Sequence, residues 1–147
     1  MTGETFFQLH YHLTDTERLF DLAQGIAARR RWLKKHDARC RSFTWYARGL
    51  LRRNYRHSWQ QFRQQNGPDG TVNFDADGIR EENEKGKPTH FDWADWDVCV
   101  VTPKVIVLTF RTPVLLFFPY SREAAITVAH AARAFGKEGG LVYRKRI

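Results

Sequence analysis

Val98-Cys-Val-Val-Thr-Pro-Lys-Val-Ile-Val-Leu-Thr-Phe-Arg-Thr-Pro-Val-Leu-Leu-Phe-Phe-Pro-Tyr120 is the most apolar stretch of the chain and the richest in β-branched residues. It breaks into three short runs at Thr102-Pro103-Lys104 and Arg111-Thr112-Pro113. Runs of about four to eight such residues, bounded by turn formers, read as buried strands. The two prolines suit strand starts and turns, where no ladder N–H is required. The spacing therefore predicts a β-meander that the rest of the chain must cover.

Working outward from it toward the N-terminus, His90-Phe-Asp-Trp-Ala-Asp-Trp-Asp97 leads into the meander. Thr71-Val-Asn-Phe74, Asp75-Ala-Asp-Gly78 and Ile79 read as a strand entering a tight turn, where Asp-Gly supplies the positive φ. Ile79 to Glu84 is expected to be a polar, exposed strand, and Pro68-Asp-Gly70 a stop and turn. At the start of the chain Phe7, Leu9, Tyr11 and Leu13 alternate with Gln8, His10 and His12, the pattern of a half-buried strand. Thr14-Asp-Thr-Glu17 has the form of a capping box. Leu19, Phe20, Leu22, Ala23, Ile26 and Ala27 then recur at helical spacing. On the C-terminal side, Ser121 is a good N-cap. Ala124, Ala125, Val128, Ala131, Ala132 and Phe135 predict a closing helix, stopped by Gly136. The tail from Leu141 to Ile147 is basic and reads as frayed.

The 147 residues make one domain with room for a real core. The expected division is a helical insertion over 14–66, a β-meander over 71–120 and a C-terminal helix over 121–136, an α+β chain. Two cysteines, Cys40 and Cys99, form no disulfide framework and read as reduced thiols of a cytoplasmic protein. No signal peptide is visible, and the longest uncharged apolar run, Pro113 to Ser121, is far short of the roughly 20 residues that span a bilayer.

Charge is distributed unevenly. Residues 29–63 hold twelve Lys/Arg and one acid, so this segment carries +11 and the remainder −3, against +8 for the whole chain. Phe43, Ala47, Leu50, Leu51, Tyr55, Trp59 and Phe62 recur within it at three- and four-residue steps, which predicts a second helix from about Ser42 to Gln65. His36 to Arg41 is the expected turn of a basic helical hairpin, one long bent helix being the alternative.

The candidate binding residues lie here: Arg30, Arg31, Trp32, Lys34, Lys35, Trp45, Arg48, Arg52, Arg53 and Arg56. Arginine beside aromatic side chains suits an anionic bilayer surface, where tryptophan prefers the interface. It also suits an acidic protein partner, or phosphate contact with base stacking. A solvated helix face is the plainest alternative. No helix-turn-helix, zinc finger or RNA-recognition signature accompanies the charge.

Other chemistry is weaker. His10 and His12 share a strand face, but zinc needs three or four ligands and no further His/Cys set stands at ligand spacing. Cys40 lies between Arg39 and Arg41, which favours a thiolate, whereas Cys99 reads as core. Asp75, Asp77, Asp92, Asp95 and Asp97 do not follow the EF-hand pattern. No Gly-x-Ser-x-Gly and no phosphate loop is present. The expectation is a chain with no catalytic residues, no metal and no cofactor.

Several of these stretches carry a resemblance. Leu13-Thr-Asp15, the turn at Phe74-Asp-Ala-Asp-Gly-Ile79, Trp93 before the meander, and Leu116-Phe-Phe-Pro-Tyr-Ser-Arg-Glu123 before the last helix resemble the YcxB-like family, small bacterial proteins with a pleckstrin-homology-like β domain. The resemblance implies a PH-like antiparallel β core with a C-terminal helix, and it brings no catalytic residues. It also implies a transmembrane hairpin after the first strand. Here that position holds residues 29–63, and a Lys or Arg at mid-bilayer costs about 2.5–3.5 kcal/mol. The chain thus resembles a relative in which a basic helical hairpin replaces the membrane anchor. Together with the basic aromatic segment, this leads to the expectation of a non-enzymatic binding module, cytoplasmic or peripheral on the inner membrane. Its partner would be an anionic membrane surface or an acidic protein, with an immunity or inhibitor protein as one form. A nucleic-acid-binding protein is the alternative, and a small enzyme with an unrecognised site the third.

Overall fold

A computed structural model describes residues 6–14, 16–35, 67–86, 88–111 and 115–144; at 16, 28–35 and 115 the description is of backbone alone. These residues form a mixed α+β arrangement of two four-stranded sheets and two α-helices. Sheet A runs in the order β1 (Phe7–His12), β2 (Asp69–Asp75), β3 (Gly78–Asn83), β4 (Thr89–Phe91), antiparallel throughout. Sheet B is ordered β7 (Leu115–Pro119), β6 (Val105–Phe110), β5 (Trp96–Val101), β8 (Leu141–Tyr143). The expected meander is β5–β6–β7, antiparallel and in sequence order.

Every residue of β6 is buried, which means that both faces of sheet B are covered there. On one face Ile106, Leu108 and Phe110 meet the apolar side of sheet A. Phe110 stacks on Phe91 of β4 with ring centroids 4.3 Å apart, and Phe118, the register partner of Ile106, stacks on Tyr11 of β1. On the other face lie Val105, Val107 and Thr109 with Phe117. Helix α1 (Thr16–Lys35) packs there against β6 and β7, bringing Phe20 edge-on to Phe117 with centroids 6.0 Å apart. The periodic residues Leu19, Phe20, Ala23, Ile26 and Ala27 of α1 are all buried. Full burial of an aliphatic or aromatic side chain contributes about 1.5–3 kcal/mol. The helix is therefore part of the core rather than an appendage.

Helix α2 (Arg122–Ala134) follows β7 and packs against β1. Ser121 caps it, its hydroxyl accepting from the Ala124 N–H at 3.0 Å. Gly136, with φ of 73°, ends it as a left-handed residue after the helix should. Trp93 joins α2 to sheet A. Its ring lies 5.0 Å from that of Phe135 and 6.3 Å from that of Phe74, and its indole N–H donates to the Asp75 carbonyl at 2.6 Å.

Three expectations are corrected. Asp69 and Gly70 begin β2 instead of turning the chain. The glycine is required because Tyr11, its register partner, sets its phenol where a Gly70 Cβ would stand. The strand from Ile79 is not simply polar and exposed: Ile79 is fully buried, and the alternation it sets turns Glu81 and Asn83 inward. The tail is not frayed at Leu141–Tyr143, which pairs parallel to Cys99–Val101.

Leu108 is fully buried between the sheets. Leu108→Ala is expected to cost about 2–5 kcal/mol through lost transfer energy and the cavity left behind. Urea melts measure it, and a loss below about 0.5 kcal/mol would contradict the two-sided cover of β6.

Candidate functional site

The sequence-derived candidates divide into two groups. Arg30, Arg31, Trp32, Lys34 and Lys35 lie in the last turns of α1, whose backbone runs unbroken from Thr16 to Lys35. At 100° per residue, positions 30, 31 and 34 continue the row of Leu19, Ala23, Ile26 and Ala27. The chemistry of that row changes from apolar to cationic between Ala27 and Arg30. Trp45, Arg48, Arg52, Arg53 and Arg56 lie outside the described residues, as do Cys40 and the second helix expected from Ser42 to Gln65.

The two ends of the 14–66 excursion meet at a seam. The Leu13 N–H donates to the Pro68 carbonyl at 2.7 Å, so the chain leaves sheet A and returns to it at adjacent backbone positions. Asn83 binds the returning strand. Its Oδ1 accepts from the N–H of Gly67 at 2.7 Å and of Lys85 at 3.0 Å, and its Nδ2 donates to the Gly67 carbonyl at 3.0 Å. The same Nδ2 stands 3.4 Å from the Tyr11 hydroxyl, which donates to Glu81 Oε1 at 2.8 Å.

The sequence reading missed this cluster because the charges of β3 suggested solvent. The signal was the two-residue alternation from Ile79, which puts 81 and 83 on the buried side. Burial raises the Glu81 carboxyl above its ordinary 4.5, while the hydrogen bond from Tyr11 acts the other way. Burial also raises the Tyr11 phenol, and the negative charge of Glu81 adds to the effect.

Several of the remaining candidates have structural partners. His10 and His12 face outward on β1. A ring nitrogen of His10 lies 2.9 Å from the Thr71 hydroxyl and one of His12 lies 2.5 Å from Asp69 Oδ1, both cross-strand pairs with β2. Asp75 accepts from the Asp77 and Gly78 N–H groups and so shapes the β2–β3 turn. Asp92 lies 3.6 Å from His90, and Asp97 is 3.4 Å from the Thr109 hydroxyl. Among the described residues no group of three or more His, Cys, Asp or Glu is placed to hold a metal ion. Nor is any helix there long and apolar enough to cross a membrane. No protein-family model matches the chain, and no curated protein or solved structure shows a significant match.

Cys99 is fully buried, and burial pushes its thiol far above the ordinary range, which removes the nucleophilic thiolate. In a Cys40→Ser variant, a thiol reagent at about pH 8 is expected to label nothing until the protein is unfolded. Prompt labelling in the folded state would show that Cys99 is accessible.

Proposed function

We propose that the chain is a non-enzymatic binding domain that docks on an anionic membrane surface through its basic, aromatic segment. The observation that carries this reading is the charge division: +11 over residues 29–63 and −3 over the rest. Basic residues beside an anionic leaflet contribute about 1 kcal/mol each, and tryptophan settles at the headgroup level. Trp32 and Trp45 are the interfacial residues on this reading; Arg30, Arg31, Lys34, Lys35, Arg48, Arg52, Arg53 and Arg56 supply the charge.

The family reading belongs to the same proposal. Two β-sheets with apolar faces together, and a helix directly after the last strand of the meander, are the features that support a PH-like core and a YcxB-like relative. The basic hairpin after β1 would then act as a peripheral anchor where its relatives carry a spanning one.

Vesicles with and without anionic lipid, titrated over a salt series, test the proposal. Binding is expected only with anionic lipid, and it should weaken as salt rises, since exposed charges are screened over about 8–10 Å at physiological salt. Replacing Arg52, Arg53 and Arg56 together by Glu is expected to abolish binding with little change in the urea midpoint. Trp32→Ala and Trp45→Ala should each weaken it. Binding to oligonucleotides with a steep log–log salt slope, and not to vesicles, would replace the membrane by nucleic acid. Failure of both at low salt would leave an acidic protein partner or a solvated face.

A further inference from the structure

Glu81 sits where the fold should place an apolar side chain. Its register partner on β2 is Val72, fully buried, and the partner of Val72 on β1 is Leu9, also buried. In the next row Tyr11, Gly70 and Asn83 stand side by side. A carboxyl on this face needs a reason, because burying a charge is costly unless it is paired. Among the described residues no cation pairs with Glu81; the Tyr11 hydroxyl, at 2.8 Å, is its hydrogen-bond donor. An ionised carboxylate has room for about four such bonds.

We infer that Tyr11, Glu81 and Asn83 form a proton-sensitive clasp at the root of the 14–66 excursion, closed when Glu81 is neutral and loosened when it is ionised. Asn83 is the shared member. Its side chain holds Gly67 at both backbone groups and also reaches the Tyr11 hydroxyl that serves Glu81. Glu81 is half-buried in the closed row; freeing Gly67 from Asn83 opens that row further to water, which supplies more of the bonds that an ionised Glu81 needs. The inference does not depend on what the basic segment binds.

Among the described residues, the surrounding charges do not offset that of Glu81. On β1, His12 faces the opposite side and is held by Asp69. From β2, Asp69 adds negative charge felt at Tyr11. Beyond β3, Glu84 takes the Asp69 N–H at 3.4 Å, and Lys85 is exposed, its N–H bonded to Asn83. From β7 the neighbour is the uncharged ring of Phe118.

The sign follows from proton binding. Glu81 binds its proton more tightly in the closed state, so closure is fully favoured below the ordinary carboxyl value of 4.5. It is progressively lost as pH rises from there through the higher value of the closed state. Within that window the opening constant should grow about tenfold per pH unit, and above it stay constant.

Backbone amide exchange of the full chain between about pH 4.5 and 8, corrected for intrinsic rates, measures the opening. The Leu13, Gly67 and Lys85 amides are the reporters and Leu108 on β6 is the control. In the wild type the reporters should open more at the alkaline end than at the acid end, and Leu108 should not follow them. Glu81→Gln should hold the reporters at the acid-limit value of the wild type at every pH. His12→Gln, which removes the other pair at the seam, should leave the wild-type profile intact. Should Glu81→Gln fail to fold, Tyr11→Phe, which removes the donor that favours ionisation, is expected to move the rise to higher pH. A flat wild-type profile overturns the clasp. So does a rise that survives Glu81→Gln, a rise abolished by His12→Gln, an unmoved rise in Tyr11→Phe, or a rise shared by Leu108.

Discussion

β6 is apolar on both faces, and the rest of the fold depends on satisfying it. A strand of this kind is stable only if two layers cover it, because each exposed face would leave several large side chains in water. Sheet A supplies one layer through Leu9, Tyr11, Phe74 and Phe91. Helix α1 supplies the other through Leu19, Phe20, Ala23 and Ile26. The two layers come from opposite sides of the excursion's first turn: β1 ends at His12 and α1 starts at Thr16, so a short connection carries the chain from one cover to the other. Neither layer can be removed without exposing a face of the meander.

This arrangement gives the excursion two chemically distinct parts. Its first half is structural, since the buried residues of α1 belong to the same core as the two sheets. Its dense run of cations, over residues 29–63, follows Ala27, the last buried residue described in α1. The closure cost of a long excursion grows only slowly with length, and here the ends are already adjacent through the Leu13–Pro68 hydrogen bond. Sheet A can therefore carry a large, strongly charged segment between β1 and β2 without distorting their register, which runs from Phe7–Phe74 to His12–Asp69 without a break.

Elements that state their own periodicity were legible in the sequence. The runs of β5 to β7 are separated by Thr102-Pro103-Lys104 and Arg111-Thr112-Pro113, β1 alternates cleanly, and Ser121 announces α2. What was not legible depends on a distant partner. Gly70 looks like a turn residue until the Tyr11 phenol claims its side-chain space. Leu141–Tyr143 has only three strand residues and borrows its order from β5, to which it is bonded in parallel. Glu81 looks solvated because charge outweighs alternation in a polar stretch, yet Ile79 fixes the face. For the candidate site, composition made the charge legible. The α1 positions are located in the fold by the helix, and Trp45, Arg48, Arg52, Arg53 and Arg56 are known as sequence.

The position of the inward Glu81 carboxyl follows from the same geometry. Near the middle of the sheets, Phe74 of β2 and its partner Ile79 of β3 are fully buried, and a charge in that row would have no access to water; Glu81 stands one row nearer the seam, beside Val72. Toward the seam the row narrows to Tyr11, Gly70 and Asn83, side chains that carry their own donors and acceptors. A phenol packs against Phe118 at its body and donates at its tip. Phenylalanine would fill the space left by Gly70 and strand the carboxyl. A second aliphatic residue at position 81 would fill the row but leave the Tyr11 hydroxyl without its acceptor. The apolar cover of β6 and the polar seam beneath the excursion are thus joined by one side chain, Tyr11, whose ring serves the first and whose hydroxyl serves the second.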